Sequence, residues 1–287
     1  MKIIEPSVKY WKESTQYANE HIARCARICY RSENNNDEKL VNALWNNNHR
    51  SMYRHATKYF CLPKHYLKDY ALAYYFDNNP FIATLITDTD IFVSANLQWI
   101  KEHDNFYNVV AKWEISDIDI FNLTKENNDI YNVIRYTFVV TTQISTSREF
   151  NRVSPNNIAE QSTRYVYDDG TICRPHWMTK EDCDHYEEFG KYDEISNIGQ
   201  YYITSCEQAF DAYKQLINYY KLNKQDARGL LPLDTATVCA YTYSGYEWKH
   251  ILDLRYRGTT GKPHPNCYII GEMIHNQLQI LTKGQVE

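Results

Sequence analysis

Three polar stretches carry the residue types from which a catalytic site could be built. Arg148–Tyr165 reads REFNRVSPNNIAEQSTRY and sets arginines and glutamates among small hydroxyl and amide side chains. An arginine beside two hydroxyls, as in Ser162-Thr163-Arg164, suits an oxyanion such as phosphate. The guanidinium forks the anion while hydroxyls and turn amides add donors. By composition alone a solvated polar loop would look the same. Asp226–Val238 (DARGLLPLDTATV) places Arg228 just ahead of an apolar helix start, where its plainer role is a weak surface pair with Asp226. Glu247–Pro265 (EWKHILDLRYRGTTGKPHP) gathers Lys249, His250, Arg255, Arg257 and His264 around a loop whose Gly258 and Gly261 permit close backbone approach to a ligand. Taken singly, each stretch is a weak sign.

The periodicities outline the elements that must position these groups. Residues 14–31 place apolar and small residues at helical spacing, with Ser14 or Thr15 as N-cap, and Asp37–Trp45 carries the stripe Leu40, Val41, Leu44, Trp45. Thr57–Leu62 and Ile91–Asn96 read as strands, separated by the turn signal DNNP at 77–80, and Asn96–His103 reads as a helix. Asp104 to Asp129 is polar and reads as an irregular surface insertion. Ile134–Ile144, rich in Thr, Val, Phe and Tyr, reads as a strand, and Ser147–Asn151 as the start of a helix. The clearest helix is Ile195–Leu222; further helices are expected over Leu233–Tyr243, Glu247–Leu254 and Tyr268–Leu281. Together these predict an α+β fold, an antiparallel sheet flanked by helices.

Composition narrows the function classes. With 287 residues, 43% hydrophobic and 23% charged, the chain can bury a substantial core. A net charge of -5 gives no electrostatic footprint for duplex nucleic acid, although a few arginines suffice for a small anionic substrate. The N-terminus lacks an apolar signal region, and no apolar run approaches the ~20 residues of a membrane span. The eight cysteines form no CxxC pair, which predicts reduced thiols in a cytoplasmic protein and no metal site.

The order and wording of the polar stretches resemble the flavin-dependent thymidylate synthases. That family carries R-H-R-x-x-S-x-N-E-x-S-x-R-Y, then A-R-x-x-L-P-L, then W-x-x-F-x-x-L-R ending near a histidine. The corresponding segments are Arg152–Tyr165 (RVSPNNIAEQSTRY), Ala227–Leu233 (ARGLLPL) and Trp248–Arg255 (WKHILDLR), with His264 beyond. Ala26–Ser32 and His49–Phe60 resemble the opening helix and the family's G-H-x-S-x-x-E-H strand entry. The resemblance covers nearly the whole chain as a single domain, 1–287, with an enlarged insert around 64–133.

Membership implies flavin adenine dinucleotide (FAD) as cofactor, NADPH as electron source and methylenetetrahydrofolate as carbon donor. It also implies a homotetramer with active sites at subunit interfaces, and a pyrimidine deoxynucleoside monophosphate as substrate. Carried over by position, Glu149, Glu160, Gln161, Ser162, Thr163, Arg164, Arg228 and Arg255 line the nucleotide site, with Arg255 and Ser162 catalytic. Ser32, His55, Thr57, Arg152, Val153, Ser154, Glu160, Ser244, His250 and His264 face the flavin. The departures are concentrated: Val153 and Ser154 replace the His and second Arg of R-H-R, Asn157 a Ser, Ala159 an Asn, Glu149 a Gln and Arg54 a Glu. Three readings follow. One is a thymidylate synthase converting dUMP to dTMP, with Arg54 or Lys249 as substitute cations. The second is a phage-type 5-hydroxymethylase of dUMP or dCMP, working in the host cytoplasm. The third is an inactive nucleotide-binding homologue.

Overall fold

The computed structural model describes residues 1–31, 36–68, 70–76, 79–153, 155–189 and 195–286. The first of its two larger sheets is antiparallel and runs β2–β7–β10–β8, where β2 is Ser7–Trp11, β7 Arg135–Gln143, β8 Ile158–Glu160 and β10 Ala236–Ser244. Its central pair is registered Arg135↔Ser244, Thr137↔Thr242 and Val139↔Ala240 on one face, and Tyr136↔Tyr243, Phe138↔Tyr241 and Val140↔Cys239 on the other. Because successive side chains point to opposite faces, this register sorts the strands into an aromatic face and a polar one. Trp248, Ile251, Ile270, Ile274 and Leu278, on the helices Gly245–Leu252 and Pro265–Thr282, pack in the core cluster that holds the aromatic face. The helix Ala18–Tyr30 and the short 3-10 turn Arg50–His55 supply the partners of the polar face.

The second antiparallel sheet runs β4–β5–β3–β6, formed by β3 (Thr57–Pro63), β4 (Ile82–Ile86), β5 (Asp90–Asn96) and β6 (Glu114–Ile115). Phe60, Leu62, Ile91 and Val93 meet Trp99, Ile100, Phe106 and Val110 from the helices Leu97–Glu102 and Asp104–Val110 in a separate apolar cluster. A small parallel pair of β1 (Lys2–Ile4) and β9 (Thr171–Cys173) packs under the long helix Asn197–Asn218.

Two expectations are corrected. Asp104 to Asp129 is not irregular: it contains the helices Asp104–Val110 and Asp117–Leu123 and strand β6, and it buries Phe106, Val110 and Ile120. Polar residues such as Asn105, Asn108, Asp119 and Asn122 lie on the outer faces of its short helices, which hid the apolar anchors; Ser116 and Asp119 form a capping box at the second helix. Leu233–Tyr243 is not a helix; from Ala236 onward it is strand β10. Its Thr, Val and Tyr content suits a pleated, doubly covered strand, and pairing with β7 decides the matter.

Candidate functional site

The helix Ile144–Phe150, which follows β7 directly, is the first positioning element. It aims Ser147, and with the next turn Asn151, at the edge strand β8. There the Glu160 carboxylate accepts from Ser147 Oγ at 2.6 Å and from Asn151 Nδ2 at 2.9 Å, and Thr237 Oγ1 lies 3.4 Å away. Tyr241 completes the group by donating its hydroxyl to Asn151 Oδ1 at 3.1 Å. Glu160 is thus a half-buried carboxylate fixed in one orientation by neutral donors. Ser147, Asn151, Thr237 and Tyr241 were not singled out from the sequence. The four-residue spacing of Ser147 and Asn151, one turn of helix, was the available signal.

On the same helix Glu149 lies between two guanidinium groups, 3.5 Å from Arg255 and 3.2 Å from Arg152. Arg152 is 68% exposed, so its pair contributes little stability. The Arg255 side chain is only 16% exposed, and its Nε is buried with no hydrogen-bond partner in the chain. Arg255 stands on a π-helical turn, Asp253–Arg257, of the kind often found at functional sites. Two glycines make that turn possible. A Cβ on Gly271 would sit 3.0 Å from Tyr256 Cβ and 3.2 Å from the Arg255 carbonyl, so a side chain there would press the last helix and the turn apart by a few tenths of an ångström. Gly258 closes the turn at φ +70, where any Cβ would meet the Gly261 carbonyl at 2.9 Å.

A second cationic group surrounds the turn after β8. Arg228 donates to Thr163 Oγ1 at 3.3 Å, and Arg164 donates to Gln225 at 3.3 Å with its guanidinium 5.4 Å from the Tyr165 ring. Ser162 donates its backbone N–H to the Cys29 carbonyl, and Gln161 accepts from Arg31 at 2.9 Å. Arg31 ends the helix Ala18–Tyr30 in the left-handed region, φ 48, which turns its side chain toward this group. It too went unnoticed in the sequence, because its proximity depends on that cap. Among the described residues no hydrogen bond or ion pair joins this group to Glu149 and Arg255.

The flavin-facing positions divide. His55, Thr57 and Ser244 are interior, at 0%, 1% and 0% exposure. His55 Nδ1 lies 2.7 Å from Thr242 Oγ1, Thr57 donates its N–H and hydroxyl to Glu13, and Ser244 shares a capping box with Glu247. Arg135 ties them together, donating to the carbonyls of Arg54 and Thr242 at 2.9 and 3.0 Å. Burial pushes the imidazoles down, His21 to about 4 and His55 to about 3, with Arg135 adding to both shifts, and pushes the Glu13 carboxyl up to about 7. Arg152 and Val153 line an open groove together with Arg54 and Phe81. His250 and His264 are exposed; His264 caps the last helix and packs edge-on to His176. Ser32 and Ser154 lie outside the described residues.

Helices flanking antiparallel sheets define an α+β protein, with a fixed carboxylate on the edge strand β8 and a half-buried arginine on the π turn as its candidate functional groups. The chain belongs to the thymidylate synthase complementing protein family, whose family model matches residues 121–264, about half of its length. That places it among nucleotide methylases acting at C5 of pyrimidines. Among solved structures, the UMP/dUMP methylase PolB from Streptomyces cacaoi bound with 5-Br dUMP is 19% identical. The match covers 58% of this chain and 77% of that chain, with a TM-score of 0.45. The same methylase bound with 5-Br UMP is 14% identical over 100% of this chain and 95% of that chain, with a TM-score of 0.47. No curated protein sequence matches. Among the described residues no helix is long and apolar enough to cross a membrane, and no group of His, Cys, Asp and Glu side chains could hold a metal ion.

Proposed function

We propose that the protein transfers a one-carbon unit from methylenetetrahydrofolate to C5 of a pyrimidine deoxynucleotide, converting dUMP to dTMP. The observation that carries this reading is Arg255, a half-buried guanidinium with an unpartnered Nε, held on a π turn against Glu149. Such a group offers donors to a ring carbonyl that gains negative charge when C5 turns nucleophilic, in surroundings drier than water. Glu149 keeps it oriented before substrate arrives. Arg164, Arg228, Ser162 and Thr163 bind the phosphate, with Arg31 as a further cation, and Glu160 orients the sugar or base through the lone pair that Asn151 leaves on Oε2. Sites assembled between subunits of a homotetramer are part of this reading, as the family resemblance implies.

The chain's residues fit FAD in part. The groove with Arg54 and Arg152 offers two guanidinium groups to a diphosphate, whereas His55, Thr57 and Ser244 lie beneath the surface of the single chain and support the groove rather than contact the ring. When bound, the flavin would supply the redox equivalents, with NADPH as their source. Val153 buries an apolar side chain, 7% exposed, where the family has an imidazole. That change favours the second reading, in which the one-carbon unit leaves as hydroxymethyl on dUMP or dCMP. The test is to record the flavin absorbance of the purified protein, then incubate it with methylenetetrahydrofolate and dUMP or dCMP and weigh the nucleotide. A methylated product supports the first reading and a hydroxymethylated one the second. The absence of both would leave an inactive nucleotide-binding protein.

A further inference from the structure

Four tyrosines stand exposed among cations where the turn after β8 meets the chain that leaves the long helix Asn197–Asn218. Tyr30 and Tyr165 are 45% and 52% exposed, with ring centroids 5.3 Å apart and planes tilted by 40°. Tyr219 and Tyr220 are 77% and 67% exposed, their rings set edge to face at 4.9 Å. Lys224 links the two pairs. Its Nζ donates to the Tyr165 carbonyl at 2.9 Å, and it follows Tyr220 by four residues, at most about 14 Å of chain. Large rings left in water gain by burial, so two exposed pairs this close mark a surface that a partner covers.

The charge of this strip opposes that of the chain. Arg31 and the segments Ser162–Tyr167 and Tyr219–Arg228 carry five cations against one carboxylate, Asp226, whereas the whole chain stands at -5. Asp168, next along the chain, turns inward and holds the Gly170 amide. Arg31, Arg164 and Arg228 spend single hydrogen bonds on the neutral side chains of Gln161, Gln225 and Thr163, and none of the five cations is ion-paired with a described residue. Arg164 also stands 5.4 Å from the centre of the Tyr165 ring. A second copy meeting this strip across a two-fold axis would set cations against cations, which disfavours a self-contact. An extended phosphodiester chain with unstacked bases meets both needs, since cations follow its backbone and ring faces take its bases. A duplex hides its base faces in its own stack.

We propose that this strip binds single-stranded DNA, with bases stacked on the two tyrosine pairs and the backbone running past Arg31, Arg164, Lys221, Lys224 and Arg228. The choice of DNA over RNA rests on the deoxynucleotide reading above; the binding itself does not. Arg164 and Arg228 serve the phosphate in both cases, so dUMP and the strand exclude each other there.

The test is fluorescence anisotropy of the full chain with a labelled oligo(dT) of about twelve nucleotides. Log K is expected to fall with log salt at a slope of about -2 to -3.5, about 0.7 for each of three to five phosphates neutralised. Tyr165→Ala and, on the other pair, Tyr220→Ala are each expected to weaken binding about tenfold at an unchanged salt slope. Both rings are exposed, so Tm should stay within a degree or two. Lys224→Gln is expected to reduce the slope by about 0.7. A strand of the same length with abasic sites throughout, and a duplex of that length, are expected to bind at least tenfold more weakly. Equal binding of the abasic strand, or tyrosine variants without effect, overturns the proposal, as does tighter binding of oligo(U). Self-association that Tyr220→Ala abolishes would make the strip a contact between copies and overturn it too. A chain that binds oligo(dT) and yields no nucleotide product keeps this surface and loses the proposed reaction, whereas one that yields product and ignores oligo(dT) does the reverse.

Discussion

The two larger sheets solve burial in opposite ways. The second sheet closes on Phe60, Leu62, Ile91, Val93, Trp99 and Phe106, side chains with little to satisfy beyond contact. The polar face of the first sheet buries Arg135, Thr137, Thr242, Ser244 and His55, each engaged by a hydrogen bond. An apolar core tolerates repacking, whereas a buried polar network fixes one arrangement, since any lost partner strands a donor or acceptor in low dielectric. The residues that match the family's working segments ride on the ordered side: β7 and β10 lead directly into the helices that carry Glu149 and, one turn beyond, Arg255.

The sharpest break of that comparison is Arg255→Ala. It should lower turnover by at least about a hundredfold while leaving the melting curve nearly unchanged, because the guanidinium supports chemistry rather than the core. Product mass and Tm measured on one preparation decide this, and retained turnover would remove Arg255 from the base-activating role. On the apolar side, Phe106→Ala should cost about 3–5 kcal/mol by denaturant unfolding. A loss below about 1 kcal/mol would show that the second sheet does not rely on its packing.

The polar side should respond to pH. His21 and His55 have folded values near 4 and 3, below the ordinary 6.5, so the native state binds fewer protons and loses stability as pH falls from 6.5 toward 4. Glu13, raised to about 7 from 4.5, acts in the opposite sense over 4.5 to 7, so two imidazoles are set against one carboxyl. Tm should therefore drop on acidification, on the order of 5–10 °C between pH 7 and 4, and more steeply in Glu13→Gln. A flat profile would mean that the histidines are not held neutral. A smaller effect is expected from Thr242→Val, which deprives His55 and Thr137 of a shared partner and should cost about 1–3 kcal/mol. Smallest in stability is exposed Arg164→Ala, which should leave Tm within a degree or two and raise the nucleotide KM severalfold; an unchanged KM would count against its phosphate role.

How much of this could be read beforehand differs by region. Periodicity located the helices near 18–30, 37–46 and 197–218 and the strands β3, β5 and β7, because each has a continuous apolar stripe or a β-branched run. It failed at β10, where Ala, Cys and Tyr at mixed spacing fit a helix as well as a strand until β7 pairs with it. It failed again over Asp104 to Asp129, where helices of seven residues are too short to show a period. Glu149, Glu160, Arg164, Arg228 and Arg255 were legible as residue types, but not their division into two groups, which the folds at Arg31 and Gly258 impose.

The sequence by itself determined the family segments, the residue chemistry and the α+β class, since these depend on identity and local spacing. Only the tertiary structure decided that His55, Thr57 and Ser244 lie in the core, that Glu149 is shared by two arginines, and that Ser94 and Asn157 face one cavity. The burial of His55 and Thr57 depends on strand register and on contacts such as His55–Thr242, 187 positions apart, and Arg135–Thr57, 78 apart, which no local pattern encodes.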